Sequence, residues 1–319
     1  GHRRRQPPPS AAAAGPRAPF TGLAAVRVGV MVPMARSDGA GHVPTWHEIR
    51  TFAEHAEAIG LDSLWASDHF FGSFPGAPLE GVHEAWTITS ALAAATSRVE
   101  IGQLVSCASY RPPGLLAKMA VTADEISGGR LVLGLGAGWH DTEYEAFGFP
   151  RNHRVSRLEE YLQVVAPLLR GETVALEGRY HRAAEAVLLP APERRIPVLI
   201  AGNGPRLLRL VARHAEAWNT AWFGRPDDRL RTRLAALGEA LEAEGRDMAT
   251  LRRTVGLAVI DPDHGEEEEN AFSGSVGELA ETLGSFEELG FADAIAVLEP
   301  MTVGSLDRLA EAIELRGGR

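Results

Sequence analysis

The hydrophobic positions of the chain fall into two alternating patterns from residue 26 onward. Short apolar runs rich in β-branched residues predict strands, and longer stretches with apolar residues three and four positions apart predict helices. The predicted strands are residues 26–32, 61–67, 99–105, 130–138, 197–201, 217–220, 254–260 and 293–298. The predicted helices between them are residues 45–59, 84–95, 113–126, 154–169, 205–214, 226–244, 275–289 and 305–315.

The predicted strands are apolar on both faces, which is typical of parallel strands buried on both sides. Eight strand–helix units favour a closed (β/α)8 barrel over an open sheet, both of which belong to the α/β class. Residues 171–192 exceed what the fourth unit needs, so they predict an insertion of short β segments after strand 4. Helix starts are predicted at the N-caps Thr45 and Ser275 and at Pro205 and Pro226.

The charge and composition of the chain limit the classes of partner that it is expected to bind. The net charge of −10 argues against nucleic acid, because phosphate binding needs clustered basic residues. Cys107 is the only cysteine, so no intrachain disulfide forms. No apolar run reaches the roughly 18 residues of a membrane span, so we expect no membrane partner and a cytoplasmic protein. Residues 1–25 are predicted to be a disordered extension, and residues 26–319 a single domain.

Chemistry in such a barrel is expected just after each strand, because the loops there form the active face. Asp68 and His69 follow the second predicted strand. An imidazole titrates near neutrality, so His69 suits proton transfer or a hydrogen bond to a cofactor. In the alternative interpretation, Asp68 caps a turn and His69 makes one structural hydrogen bond.

Glycines mark the ends of the third and fourth strands. Gly102 predicts a bulge or a close backbone approach. Gly134, Gly136 and Gly138 share one face of a strand, which admits either tight packing or a flat ring. Trp139 stands where a dinucleotide-binding motif needs its third glycine, so that motif is absent; in the alternative interpretation Trp139 covers the barrel core.

The fifth strand is followed by Gly202, Asn203 and Gly204 at the start of a helix. Backbone amides at a helix N-terminus bind phosphate, although a tight turn would also explain the glycines. No metal site is predicted, because the sequence has no cysteine cluster and no closely spaced histidine pair on a strand or helix. Cys107 has no partner base in the sequence and is not expected to be a nucleophile.

Several stretches together resemble the bacterial luciferase-like superfamily of flavin and deazaflavin enzymes, over nearly all of residues 26–319. The branch that uses coenzyme F420, an 8-hydroxy-5-deazaflavin, is resembled more closely than the FMN branch. The stretches are LWASDHF, SYRPPGLLAKMAVTADEISGGRLVLGLGAGWHDTEYEAFGFP, RVSRLEEYLQVVAPLL, GRYHR with LLPAP, and PVLIAGNGP with AEAWNTAW.

The resemblance implies a (β/α)8 barrel with an insertion after strand 4 and a tricyclic ring across the strand ends. His69 would be the catalytic proton-transfer residue beside the ring. Gln103 and Leu104 match a bulge at which a non-proline cis peptide presses on the ring. The other residues implied to bind the cofactor are Asp68 beside the ring, Ala137, Gly138 and Trp139 at its other approach, and Gly202, Asn203 and Gly204 around the phosphate.

Two departures from the sugar-6-phosphate dehydrogenase branch bear on the substrate. Trp139 replaces a glutamate of that branch, and Lys118, the only lysine, falls on the third helix. We therefore expect hydride transfer between F420 and a small apolar organic molecule. The alternatives are a reduced-FMN monooxygenase and a non-catalytic flavin-binding protein. A homodimer is implied by the resemblance alone.

Overall fold

A barrel of parallel strands forms the centre of the computed structural model, which describes residues 25–38, 41–72, 79–264 and 269–317. The predicted disordered extension, apart from residue 25, lies outside the described residues. The barrel strands are β1 (Arg27–Met31), β2 (Ser63–Ala66), β3 (Glu100–Gln103), β4 (Leu131–Gly136), β5 (Val198–Ala201), β6 (Ala217–Phe223), β7 (Arg252–Ile260) and β8 (Asp293–Glu299).

The barrel is closed, as the sequence predicted. Each strand pairs in parallel with the next along the chain, and β8 returns to pair with β1, where Arg27 lies opposite Asp293. Helices cover the outside: α1 (Trp46–Ala58), α2 (Ala85–Ala95), α3 (Pro113–Ser127), α4 (Asp141–Phe147), α5 (Arg154–Leu168), α6 (Pro205–His214), α7 (Asp228–Ala243), α8 (Val276–Glu288) and α9 (Val303–Gly317). In the described ranges, no helix combines the length and apolarity that a bilayer crossing requires.

The predicted insertion after β4 is present as an antiparallel hairpin of Val174–Glu177 and Arg182–Ala186. Three short elements escaped the sequence analysis because each is too short to show a period. They are α4, the strand Ser106–Cys107 that pairs with β4, and the hairpin of Phe71–Gly72 with Glu80–Gly81. All three lie at the carboxyl ends of β2, β3 and β4, where they build the rim of the barrel.

The helix starts follow the predicted capping chemistry with one exception. Thr45 and Ser275 each form a reciprocal capping box with a glutamate three residues on, and Pro205 is the first residue of α6. Pro226 does not begin a helix. The side chain of Asp227 accepts a hydrogen bond from the Leu230 amide, and this cap fixes the start of α7 at the next residue.

The lower half of the barrel interior is filled by side chains. Trp65 is buried and donates from its indole nitrogen to Ser63 Oγ at 2.8 Å. A Cβ atom at Gly102 would lie 2.7 Å from the Trp65 ring and 2.5 Å from the Val132 carbonyl oxygen. The glycine is therefore required for a close approach, as its position near the strand end predicted.

An ion network closes the bottom of the barrel. The guanidinium of Arg252, which is 8% exposed, donates to Asp293 at 2.5 Å and to Glu100 at 2.8 Å. Arg27 contacts the same two carboxylates, at 3.4 Å from Asp293 and 2.5 Å from Glu100. These residues come from β1, β3, β7 and β8, so the network links strands that are distant in the sequence.

Replacing Arg252 with methionine should lower the free energy of unfolding by about 3 kcal/mol, because the buried carboxylate of Asp293 and the partly buried one of Glu100 would lose their principal counter-ion. The measurement is urea unfolding monitored by circular dichroism. The control is Arg213→Met, which breaks a solvent-screened surface pair with Glu244 and should change stability far less. Equal losses in the two variants would contradict a structural role for the network.

Candidate active site

Loops after β2, β3 and β4 meet on one side of the barrel rim, and the side chains that sequence analysis singled out there lie close together. His69 follows β2, and its Nδ1 atom lies 3.0 Å from Oε2 of Glu143, the third residue of α4. The His69 side chain is 29% exposed, whereas that of Glu143 is fully buried. The two residues are 74 positions apart, so the contact had no local sequence signal.

Glu143 is held as a buried carboxylate by four donors. Its Oε1 atom accepts from the amides of Phe70 at 2.5 Å and Phe71 at 3.3 Å, and its Oε2 atom accepts from Tyr110 Oη at 2.6 Å as well as from His69. Burial raises the pKa of Glu143, but the bonds from His69, Tyr110 and the Phe70 amide outweigh this and lower it to about 2. Glu143 is therefore ionised at neutral pH.

The ionised carboxylate fixes the tautomer of His69. A carboxylate without a proton only accepts hydrogen bonds, so Nδ1 of His69 carries the proton that lies between them. In neutral His69 the Nε2 atom is then an acceptor, and among the described residues it has no hydrogen-bond partner. This is the arrangement of a base whose orientation is set by a carboxylate behind it.

Asp68 is directed into the protein. Its two oxygens accept a bidentate pair from Arg111 at 2.8 and 3.0 Å, and one of them also accepts from the Cys107 amide at 2.9 Å. Arg111 in turn contacts Glu84 at 2.5 Å. The described role of Asp68 is thus to tie the end of β2 to the loop after β3. Its predicted contact with a cofactor ring stays a prediction.

The predicted bulge after β3 is present, with one correction. The non-proline cis bond joins Leu104 to Val105, one residue later than the Gln103–Leu104 position inferred from the resemblance. The Gln103 side chain is buried on the helix side, where it donates to Thr89 at 2.7 Å. Only its backbone faces the barrel, so any contact of Gln103 with a cofactor is a backbone contact.

The glycines of β4 make room for the segment that follows β3. A Cβ at Gly134 would lie 1.9 Å from the Gln103 carbonyl oxygen, and a Cβ at Gly136 would lie 2.6 Å from the Val105 side chain. Of the two sequence interpretations, tight packing therefore explains these glycines. Because they accommodate the bulge, Leu104 and Val105 pack on the interior cluster while staying partly exposed.

A partly exposed apolar floor lies above the filled half of the barrel. Its members pack on the interior cluster of Met31, Trp65, Leu199 and Ile295 without being buried themselves. They come from the ends of β3, β6 and β8 and are Leu104, Val105, Trp222, Val297 and Met301. A second non-proline cis bond, Ala221–Trp222, precedes the tryptophan. An apolar floor at the carboxyl ends of barrel strands suits a flat ring.

The segment after β4 forms the opposite wall. Gly138 has a φ of +78°, and a Cβ there would lie 2.0 Å from Tyr144 Oη, which itself donates to the Ala137 carbonyl at 2.9 Å. Trp139 is 69% exposed, so it does not cover the barrel core, and its ring centroid lies 5.6 Å from that of His69. The indole thus borders the same opening as the imidazole.

Aromatic side chains continue this wall outward. Phe70 contacts Tyr110 and Phe147 with centroid distances of 5.0 and 4.4 Å, and Tyr110 contacts Phe149 at 4.7 Å. Phe147 is half exposed.

Burial raises the pKa of the neighbouring Cys107 thiol to about 11, which agrees with the expectation that it is not a nucleophile.

The N-terminus of α6 has the features of an anion site. Its N-cap is Gly204, which is exposed, has a φ of −75° and offers no side chain to the first-turn amides. A Cβ at Gly204 would contact nothing within 4 Å. Asn203 accepts through Oδ1 from Thr220, and Gly202 has a φ of +148°. Arg206, in the first turn, contacts Ser156 Oγ at 3.0 Å near the start of α5.

A second imidazole lies beside the first. His140 Nδ1 is 3.1 Å from Glu143 Oε2, and the His140 side chain is only 8% exposed. This nitrogen is buried without a hydrogen-bond partner, because its approach to the carboxylate is not aligned for one. One ligand atom each from His69, His140 and Glu143 lies within 4.8 Å of the other two. The sequence analysis expected no metal site and did not foresee this group.

A cavity of about 340 Å³ opens between the loop after β1 and the first turns of α1 and α9. Its walls include Pro33, Phe52 and Met301, together with the polar Asp38 and His47. Met301 also packs on the interior cluster, so the cavity adjoins the apolar floor. This cavity had no sequence signal, because its lining joins residues between Pro33 and Phe52 to residues 301–303, which are far apart in the sequence.

Comparison with known proteins agrees with this geometry. The sequence model of the luciferase-like monooxygenases matches residues 26–276. The F420-dependent glucose-6-phosphate dehydrogenase of Kineococcus radiotolerans is 33% identical over 231 residues, which are 70% of this chain and 67% of the relative. The F420-dependent hydroxymycolic acid dehydrogenase of Mycobacterium tuberculosis is 31% identical over 72% of this chain and 65% of its own length.

Solved structures share the fold at lower identity. An F420-dependent secondary alcohol dehydrogenase in complex with an F420–acetone adduct superposes with a TM-score of 0.78 at 18% identity, covering 92% of this chain and 99% of that one. The EDTA monooxygenase of Chelativorans sp. BNC1 gives 0.74 at 14% identity, covering 92% and 95%. With the family match spanning most of the barrel, the chain belongs to the luciferase-like monooxygenase family.

Proposed function

We propose that the protein is a coenzyme F420-dependent oxidoreductase that moves a hydride between the deazaflavin and a small, apolar organic substrate. The observation that carries the proposal is His69, a partly exposed imidazole whose Nδ1 is held by an ionised Glu143 at the carboxyl ends of strands that also carry an apolar floor. The curated relatives named above are F420-dependent dehydrogenases, and the alignments span about two thirds of their length.

The described residues fit such a cofactor at both of its ends. The floor of Leu104, Val105 and Trp222 offers a flat, partly exposed apolar surface for the ring. The uncapped amides at the start of α6 offer unobstructed donors to the phosphate, with Gly202, Asn203 and Gly204 around them. Bound F420 would supply the hydride chemistry, which no amino-acid side chain provides.

The protein contributes proton transfer and orientation. When a substrate alcohol is oxidised, its hydroxyl proton must leave, and the free Nε2 of His69 is the acceptor available at the rim. When a ketone is reduced, the same nitrogen returns a proton. In both directions the ionised Glu143 stabilises the charged imidazolium through Nδ1, and the Phe70 and Phe71 amides keep the carboxylate in place.

An apolar substrate fits the wall that the chain presents. Trp139 and Phe147 are exposed at the rim, where they would bury apolar surface of a ligand. Lys118 lies on α3 and donates to the Leu189 carbonyl, so the only lysine of the sequence does not serve the rim. We therefore favour a secondary alcohol or ketone over a sugar phosphate. The cavity beside Met301 is a candidate site for its tail.

A reduced-FMN monooxygenase is the second candidate. The observation that favours it is the match of the luciferase-like monooxygenase model to residues 26–276, and the fold is shared with two monooxygenases, each at a TM-score of 0.74. These two structures lie below 20% identity and therefore carry the fold alone. The non-catalytic flavin-binding alternative loses support because a free imidazole nitrogen backed by a buried carboxylate is a reactive arrangement. The homodimer, adopted from the resemblance, remains part of this proposal.

Cofactor titration tests the proposal directly. We expect reduced and oxidised F420 to bind at least about tenfold more tightly than FMN, because a deazaflavin-dependent site is built for one ring system. Quenching of the tryptophan fluorescence of the full chain, titrated without oxygen with each cofactor in its oxidised and reduced forms, measures the dissociation constants. Tighter binding of reduced FMN, with oxygen consumption on an organic substrate, would establish the monooxygenase instead.

Substitution of His69 by asparagine should lower kcat for F420 turnover by about 100-fold or more, because the proton acceptor is lost. Glu143→Gln should also lower kcat, and the double variant should be little worse than His69→Asn, because the two residues act as one unit. The matched control is Glu145→Gln on the exposed face of α4. Additive losses, or an affected control, would show that Glu143 does not act through His69.

Gly204 allows a charge test without a steric penalty, because a side chain there meets open space. Aspartate and asparagine would both cap the α6 amides, but only aspartate repels a phosphate. We expect Gly204→Asp to bind F420 about tenfold more weakly than Gly204→Asn, as followed by fluorescence titration. Equal binding by the two variants would place the phosphate elsewhere.

A further inference from the structure

We propose that His69, His140 and Glu143 form a binding site for a divalent transition-metal ion of the zinc and cobalt type. His69 Nδ1 and His140 Nδ1 lie 3.0 and 3.1 Å from Glu143 Oε2, and one ligand atom from each of the three residues lies within 4.8 Å of the other two. Ligands around a tetrahedral zinc ion are separated by roughly 3.3 Å, as bonds of about 2.0–2.2 Å require. Small side-chain rotations would bring the three atoms to that spacing.

The unsatisfied nitrogen of His140 is the second observation. A buried nitrogen without a partner costs free energy, and such groups are uncommon in folded proteins. His140 Nδ1 is buried, lacks a hydrogen bond and lies 3.1 Å from the oxygen that His69 also contacts. A metal ion at this point would satisfy both imidazole nitrogens and Oε2 at once.

The surroundings supply the outer hydrogen bonds that metal ligands need. Glu143 Oε1 is fixed by the amides of Phe70 and Phe71, and Tyr110 Oη donates to Oε2. Ligating carboxylates are generally held by such donors. Two imidazoles and one carboxylate form the ligand set of open zinc sites, in which the remaining position is free for water. The partial exposure of His69 leaves that position on the rim side.

Metal binding would stop His69 from accepting a proton from the substrate. This consequence rests on the proposed function. Coordination takes the lone pair of Nδ1, so the imidazole proton must move to Nε2. Nε2 then carries hydrogen and cannot accept a proton from the substrate. The ion would also remove the direct bond between His69 and Glu143. The site is therefore expected to be inhibitory, with zinc lowering F420 turnover.

Cobalt binding to the ligand-free full chain tests the site without using activity. Titration with Co²⁺ should produce visible absorption bands typical of four or five ligands, and added Zn²⁺ should abolish them. His140→Ala and Glu143→Gln should each weaken Co²⁺ binding at least tenfold. The control, His264→Ala, removes an exposed imidazole elsewhere and should leave the bands unchanged. Circular dichroism and thermal unfolding confirm that each variant is folded.

Absence of these bands from the unsubstituted protein at millimolar Co²⁺ would overturn the proposal, as would bands that survive in both His140→Ala and Glu143→Gln. A separate experiment measures F420 turnover as a function of Zn²⁺ concentration. The Zn²⁺ concentration that halves turnover is expected to equal the one that displaces half of the bound Co²⁺. If the protein does not use F420, this experiment gives no signal while the cobalt spectra still decide the metal site.

Discussion

The buried carboxylate of Glu143 is the constraint on which the rim depends. Two backbone amides from the loop after β2, a tyrosine hydroxyl from the loop after β3 and an imidazole converge on its two oxygens. These donors lower its pKa to about 2 despite burial. Loss of the charge would leave several donors without an acceptor and three loops without their common attachment. The position of His69 therefore depends on contacts among the loops of the rim, and the sequence around His69 does not determine it.

A second ion pair stabilises the same rim from inside the protein. Asp68 and Arg111 form a bidentate bond that joins the end of β2 to the loop after β3, and the Cys107 amide adds a third contact. Asp68 and His69 are neighbours in sequence but face opposite ways, one into the protein and the other towards the opening. The pair thus combines an anchored carboxylate with a partly exposed imidazole, to which the proposed function gives the proton transfer. Such a combination is consistent with an enzyme whose cofactor does the redox chemistry while the chain fixes one proton carrier.

Much of the fold was predictable because its signals are local. Eight apolar runs separated by amphipathic stretches, the capping residues Thr45 and Ser275, and the surplus of residues 171–192 each lie within one short window. The start of α7 was misplaced by two residues, because Asp227 caps the helix more effectively than Pro226 begins it. The resemblance supplied the site residues, but it placed the cis bond one residue early and gave no role to Glu143, Tyr110 or Arg111. Those three act through contacts between loops 33 to 74 residues apart, which no spacing rule reveals.

The glycines show how one residue type records different constraints. Gly134 and Gly136 exist to admit the bulge after β3, Gly138 adopts a positive φ under Tyr144, and Gly204 leaves helix amides uncovered. From sequence, the first three were assigned to one face of a strand, which admitted either tight packing or a flat ring. In the structure, the small residues of β4 make room for the bulge after β3. The bulge in turn places Leu104 and Val105 on the apolar floor. The apolar surface offered to the cofactor ring therefore originates in residues that have no side chain to contact it.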